Sequence, residues 1–142
     1  MWWWFAACES AVPECPKYMT WHVAVPVHGG RTTWCEGTTG ARNGLFIQYH
    51  ANGQMSVDGW FWRNQRNGNW KRYRADGTLE EAVDWYKGKR HGTQLVYGSD
   101  GRTVVETIGW REGARLSPGE TPPAAEPREW TETRTKESKP AL

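Results

Sequence analysis

Leucine, isoleucine and valine are scarce in this chain, and phenylalanine and methionine occur only three times each among its 142 residues. That shortage excludes a globule built around a thick aliphatic core. No apolar run approaches the ~18 residues that would span a bilayer, and mean hydropathy is −0.83. Neither sign of charge dominates. Lys and Arg number 18 against 16 Asp and Glu, a net of +2 with the signs interspersed, which is too weak an excess to argue for nucleic acid. Chemistry is sparse too. His22, His28, His50 and His91 are scattered, and neither Cys-x-x-Cys nor paired His gives a zinc spacing. No Ser/His/Asp or Cys/His set assembles, and glycines fall at turns rather than in a phosphate loop between strand and helix. We therefore expect no catalytic residue, no metal and no cofactor. Glu80, Glu81 and Asp84 form a small acidic cluster. Strand alternation puts Glu80 and Asp84 on one face and Glu81 on the other, and a solvated face is the expectation.

Tryptophan and glycine are abundant, with 11 and 16 copies. They fall in a pattern. Gly44-Leu-Phe-Ile-Gln-Tyr49-His-Ala-Asn-Gly53 is followed by Gly68-Asn-Trp-Lys-Arg-Tyr73-Arg-Ala-Asp-Gly77, and then by Gly92-Thr-Gln-Leu-Val-Tyr97-Gly-Ser-Asp-Gly101. Gly44, Gly68 and Gly92 share one step, as do Tyr49, Tyr73 and Tyr97, and Gly53, Gly77 and Gly101. Trp62, Tyr86 and Trp110 keep it as well. A fixed period of this length marks a repeat array, in which one unit cannot bury its own face alone.

Asn52-Gly53, Asp76-Gly77 and Asp100-Gly101 are hairpin signals. The stretches 54–62, 79–86 and 103–110 are short and rich in aromatic and β-branched residues, so they are expected as strands. Each unit then reads as strand, tight turn at Asx-Gly, strand, and looser turn. The looser turns are Arg63 to Gly68, Lys87 to Gly92, and Glu112-Gly113. Such units in series make an antiparallel meander with no room for crossover helices. The offset from Phe46 to Tyr49, and from Trp70 to Tyr73, is odd. Either both faces of the sheet are used or a bulge re-aims one side chain.

Gly-x-Trp-x-x-Tyr-x-x-Asp-Gly at 68–77, followed by Trp85-Tyr86-Lys-Gly-Lys-Arg-His-Gly92, resembles the MORN repeat, in the variant found in YwqK-type antitoxins. The resemblance covers Arg42 to Gly113. It weakens in the third unit, where Gln94 replaces Trp and Arg111-Glu112 stands at the closing Lys-Gly. It implies a single-layer, twisted sheet of hairpins that serves as an interaction scaffold, with no catalytic residues to carry over.

The expected fold is all-β: a single-layer antiparallel meander of tandem β-hairpins with an N-terminal cap and a disordered C-terminal tail. Residues 1–14 read as a leader remnant or lipoprotein linker, 15–43 as the cap, 44–115 as three repeats and 116–142 as the tail. Phe5-Ala6-Ala7-Cys8 resembles the end of a bacterial lipoprotein signal, which makes Cys8 the candidate for lipidation. The alternative is an apolar N-terminus of no function. Three cysteines resolve if Cys15 pairs with Cys35 and Cys8 carries a lipid. Three reduced thiols in a cytosolic protein is the other reading. The tail is rich in Pro and charge, with only Trp130 large and apolar, and Trp130 could fold it back over the last strand.

The candidate site residues are the two aromatic columns, Tyr49, Tyr73 and Tyr97, and Trp62, Tyr86 and Trp110. They serve either as stacked core or as a recognition groove. The functional expectation is a non-catalytic scaffold that binds a protein on the outer side of a bacterial membrane, anchored there only if Cys8 is lipidated. Two other readings stay open. One is a cytosolic antitoxin-like protein masking a toxin. The other is a glycan- or cell-wall-binding module whose ring ladder stacks on sugars.

Overall fold

The computed structural model describes residues 15–26 and 29–125. Within them the chain is all-β. Nine strands follow one another in sequence order across one open antiparallel sheet: β1 Met19–Ala24, β2 Arg31–Gly37, β3 Arg42–Tyr49, β4 Met55–Trp62, β5 Gln65–Tyr73, β6 Leu79–Tyr86, β7 Lys89–Tyr97, β8 Val104–Arg111 and β9 Ala114–Arg115. The meander expected from the repeat is what forms. β1 and β2 extend the same sheet N-terminal to the repeats.

The two kinds of turn are exchanged relative to the sequence reading. The tight, two-residue turns are Arg63-Asn64, Lys87-Gly88 and Glu112-Gly113, between the register pairs Trp62↔Gln65, Tyr86↔Lys89 and Arg111↔Ala114. All six turn residues have positive φ, the requirement of a type I′ hairpin. The Asx-Gly turns are wider. Gly53 N–H donates to His50 O and His50 N–H to Gln54 O, and only the glycine has positive φ. Asn52, Asp76 and Asp100 instead accept backbone N–H bonds from Gln54, Thr78, and Arg102 with Thr103 through their side chains. An Asx side chain can close a wide turn in this way without entering the left-handed region.

The third wide turn is one residue longer. Tyr49 pairs Met55 and Tyr73 pairs Leu79, but Tyr97 pairs Val104. Everything after it shifts by one. Gly44 faces Phe61, Gly68 faces Trp85 and Gly92 faces Trp110. Trp110 is therefore the counterpart of Phe61 and Trp85, while Arg111 occupies the place of Trp62 and Tyr86. The closing Lys87-Gly88 corresponds to Glu112-Gly113, not to Arg111-Glu112.

Both faces of the sheet are used, which accounts for the odd offset between Phe46 and Tyr49. Bulges are present as well, on the partner strand, where the register skips Ser56, Glu80 and Val105. The bulge at Glu80 overturns the simple alternation expected for the acidic cluster. Glu80 and Glu81 both reach Arg72, at 3.0 and 2.7 Å, and Asp84 lies on the opposite face with Asn69 and the Thr93 N–H.

Successive hairpins are tied at both edges of the sheet. Along one edge, Asn64, Gly88 and Gly113 N–H donate to the carbonyls of Arg42, Arg66 and Arg90. Along the other, His50 Nε2 bonds Tyr73 O, and Arg74, its counterpart in the next unit, donates to Tyr97 O, Gly98 O and Leu79 O. The few buried side chains are Cys35, Ile47, Trp60, Trp70, Ala82 and Val83, with Thr33, Ser56, Asn67 and Gln94 among the polar ones. They follow the length of the sheet rather than meeting in one centre.

Cys15 and Cys35 form a disulfide, with Cα atoms 5.6 Å apart. It fastens the segment before β1 to β2, beside Gly44. Residues 116–125, the start of the expected tail, lie beside β8. Leu116 N–H donates to Gly109 O, and Leu116 and Pro122 lie against Gly109. Arg111 reaches Glu120 and Thr121 O. Cys8, His28 and Trp130 lie outside the described residues.

Candidate interaction face

Alternation along the strands sorts the rings. Tyr49, Tyr73 and Tyr97 point to one face, together with Trp62 and Tyr86. Trp110 points to the other. The expected second column is therefore split between the two faces by the extra residue in the third wide turn.

On the first face the aromatic rings are propped individually. Tyr49 lies under Arg31, with 4.3 Å from guanidinium to ring centroid. Trp62 sits under Arg63, and Tyr86 contacts Lys87 and His91. Tyr73 faces Asp58, and burial, then that carboxylate, push its phenol up to about 12. Among the described residues no tyrosine of this column makes a ring contact with another. His91 stands where the earlier units carry Asn43 and Asn67. Its Nδ1 accepts from Glu112 N–H, as Asn43 Oδ1 accepts from Arg63 N–H. It lies within β7, not in a turn, and its ring serves the neighbouring Glu112-Gly113 turn.

The opposite face carries a continuous ladder. At its β2 end Trp34 is stacked on His22 at 5.5 Å, and Arg42 lies over Trp34 at 5.1 Å and over Phe61 at 5.7 Å. Phe61, Phe46 and Trp70 pack together with centroids 5.1–5.5 Å apart. Arg66 comes next, 4.6 Å from Trp70 and 4.8 Å from Trp85. Arg90 follows, 5.8 Å from Trp85 and 4.8 Å from Trp110. Trp110 Nε1–H donates to Gln94 Oε1, and Gln94 Nε2–H to Glu81. Rings and guanidiniums alternate because Arg66 and Arg90 lie directly across the strands from Phe61 and Trp85. Each such cation–π contact is worth ~0.5–1 kcal/mol at an exposed site and ~2 when desolvated.

Among the described residues Arg42, Arg66 and Arg90 make no ion pair, whereas Arg72 and Arg115 do. Glu36 is across from Arg42, but its carboxylate receives Trp34 Nε1–H and faces His22. Partial burial, then the like charge of Arg90, lower the pKa of Arg66 below the usual guanidinium value. Three arginines thus lie in a row on alternate strands, Arg42 and Arg66 exposed and Arg90 half-buried.

No known family, curated protein or solved structure matches this chain.

The ladder was missed from sequence, though part of its signal was there. Arg42, Arg66 and Arg90 repeat in phase with the glycines, and Phe61 and Trp85 keep the same step. The one-residue insertion between Tyr97 and Val104 aligned Trp110 with Trp62 and Tyr86, and so hid its membership. Among the described residues no group of three or more His, Cys, Asp or Glu is placed to hold a metal, and no helix is long and apolar enough to cross a membrane.

Proposed function

We propose that the chain is a non-catalytic scaffold that holds another protein against the ladder face of a MORN-like repeat sheet. The observation that carries this reading is the row Arg42, Arg66 and Arg90, interleaved with Trp34, Phe61, Trp70, Trp85 and Trp110 and, among the described residues, without ion-pair partners. Aromatic and arginine side chains are the residues enriched where proteins bind proteins. Stacking on sugar rings asks for open ring faces, and Trp85 has a guanidinium from each neighbouring strand over it, which weighs against the glycan reading.

The site of action in this reading is outside the cytoplasm, in a secreted protein or one anchored through Cys8. The Cys15–Cys35 bond supports it, since such bonds persist in oxidising compartments, and it weighs against a cytosolic antitoxin. The test is partner capture by protein from the native host. Replacing Trp85 and Trp110 by Ala should abolish capture with the far-UV circular dichroism of the sheet retained. Replacing Trp62 and Tyr86 should leave it. The opposite dependence would move the binding face to the other side.

A further inference from the structure

The row has a spacing as well as a charge. Arg42, Arg66 and Arg90 sit on β3, β5 and β7, each separated from the next by one intervening strand. Neighbouring strands are ~4.8 Å apart, so the arginines recur every ~9.6 Å across the sheet. The contacts agree. Trp85 lies 4.8 Å from Arg66 and 5.8 Å from Arg90, so the two guanidiniums are no farther apart than those distances together. What fits this row is a linear object with a negative group at that interval on one side.

A regular β-strand fits poorly. Its side chains on one face recur every ~6.6–6.8 Å, and the next same-face interval is twice that. A polyproline II segment fits well. It rises ~3.1 Å per residue with three residues per turn, so every third side chain points the same way at ~9.3 Å. Its backbone is solvated and makes no internal hydrogen bonds, so it can lie across the ring edges without needing a sheet edge to pair with. Carboxylates on that spacing would each meet one guanidinium, and Arg binds a carboxylate in a planar, two-pronged geometry that Lys lacks.

Resting on the scaffold reading above, we propose that the partner presents an acidic polyproline II segment, with Asp or Glu at every third residue, that lies across the strands along Arg42, Arg66 and Arg90. The rings set the pitch by holding each guanidinium between strands. Trp34 with Glu36 closes the row on the β2 side, and Arg115, already paired with Glu106, closes it on the β9 side.

The test uses the full chain and two synthetic peptides of equal length and charge: a Glu-Pro-Pro repeat, and one in which the same glutamates are bunched at one end. The spaced peptide should bind at least about tenfold more tightly, with affinity falling as salt rises. Arg66→Gln or Arg90→Gln should each weaken it about tenfold, the scale of one charge-assisted hydrogen-bonded pair, and Arg72→Gln should leave it unchanged. Equal binding of the two peptides would overturn the proposal, and that comparison needs no variant to fold. So would ladder-dependent binding of a polyuronate with no binding of either peptide. If the native partner is captured through Trp85 and Trp110 but its capture is indifferent to salt and to Arg66→Gln, the scaffold reading stands and this inference falls.

Discussion

A Cβ added to Gly59 would lie 2.2 Å from Cδ2 of Trp70. The Trp70 indole therefore rests on bare backbone of the neighbouring strand, where it also donates from Nε1 to Trp60 O and receives Phe46, Phe61 and Arg66 around it. Gly59→Ala should displace the indole and destabilise the sheet by about 1–3 kcal/mol, the range for overpacking. A urea denaturation midpoint indistinguishable from the parent chain would show that the ring can be moved at no cost.

Arg74 locks the second unit to the third. It bonds Tyr97 O, Gly98 O and Leu79 O, and meets Thr78 Oγ1. Arg74→Ala should cost about 1.5–3 kcal/mol, as for hydrogen bonds from a charged donor. The loss should be local, because a repeat array is coupled mainly between neighbours. Amide exchange should quicken around residues 97–103 and stay unchanged in β2. Uniform acceleration along the chain would argue against neighbour-only coupling.

The Cys15–Cys35 bond closes a loop with a sequence separation of 20. Loop-closure arithmetic gives it about 3 kcal/mol. Cys15→Ala with Cys35→Ala should lower stability by about that amount, loosening β1 and β2 before β5 to β7. Mass measurement of alkylated native-host protein should show both thiols blocked. Free thiols there would remove the support for an extracytoplasmic site.

Tyr73 gives a pH signature. Its phenol is pushed up to about 12 by burial and then by Asp58, from an ordinary value of about 10. Below about 10 both folded and unfolded chains keep the proton, and the associated stability is complete. Between about 10 and about 12 the unfolded chain releases it first, so stability falls as pH rises through the folded value. The alkaline loss should be reduced in Tyr73→Phe, and tyrosinate absorbance should show one phenol titrating late. At the acid end, Thr103 and backbone N–H bonds hold the Asp100 carboxyl at about 2. The Arg102 and Thr103 amide shifts should therefore titrate well below the usual carboxylate range.

The sequence disclosed the fold better than the site. Gly44, Gly68 and Gly92 repeat because a positive φ recurs there inside a strand, a demand few other residues meet, so the period was visible and the meander followed. The two turn types were exchanged because Asx-Gly spells two structures: a two-residue turn with both residues left-handed, or a wider one that the Asx side chain bridges. Arg63-Asn64, with positive φ at both residues and no glycine, carried no such spelling. The site was obscured by register. One residue added before Val104 sends Trp110 to the opposite face from Trp62 and Tyr86, since a slip of one reverses every side chain beyond it. The arginine row is not legible in the sequence because weak net charge hides a row of like charges when the acids pair elsewhere, as Glu80 and Glu81 do on Arg72.

Arginine-selective chemical modification, mapped by mass spectrometry on the folded full chain with and without its native partner, tests the central claim most directly. In the free protein the exposed Arg42 and Arg66 should react readily, the half-buried Arg90 more slowly, and Arg74, bonded to three carbonyls, least. With the partner bound, Arg42, Arg66 and Arg90 should all become shielded while Arg102 keeps its reactivity. A partner that shields Arg31 and Arg63 on the tyrosine face, and leaves the ladder arginines as reactive as before, would contradict the account.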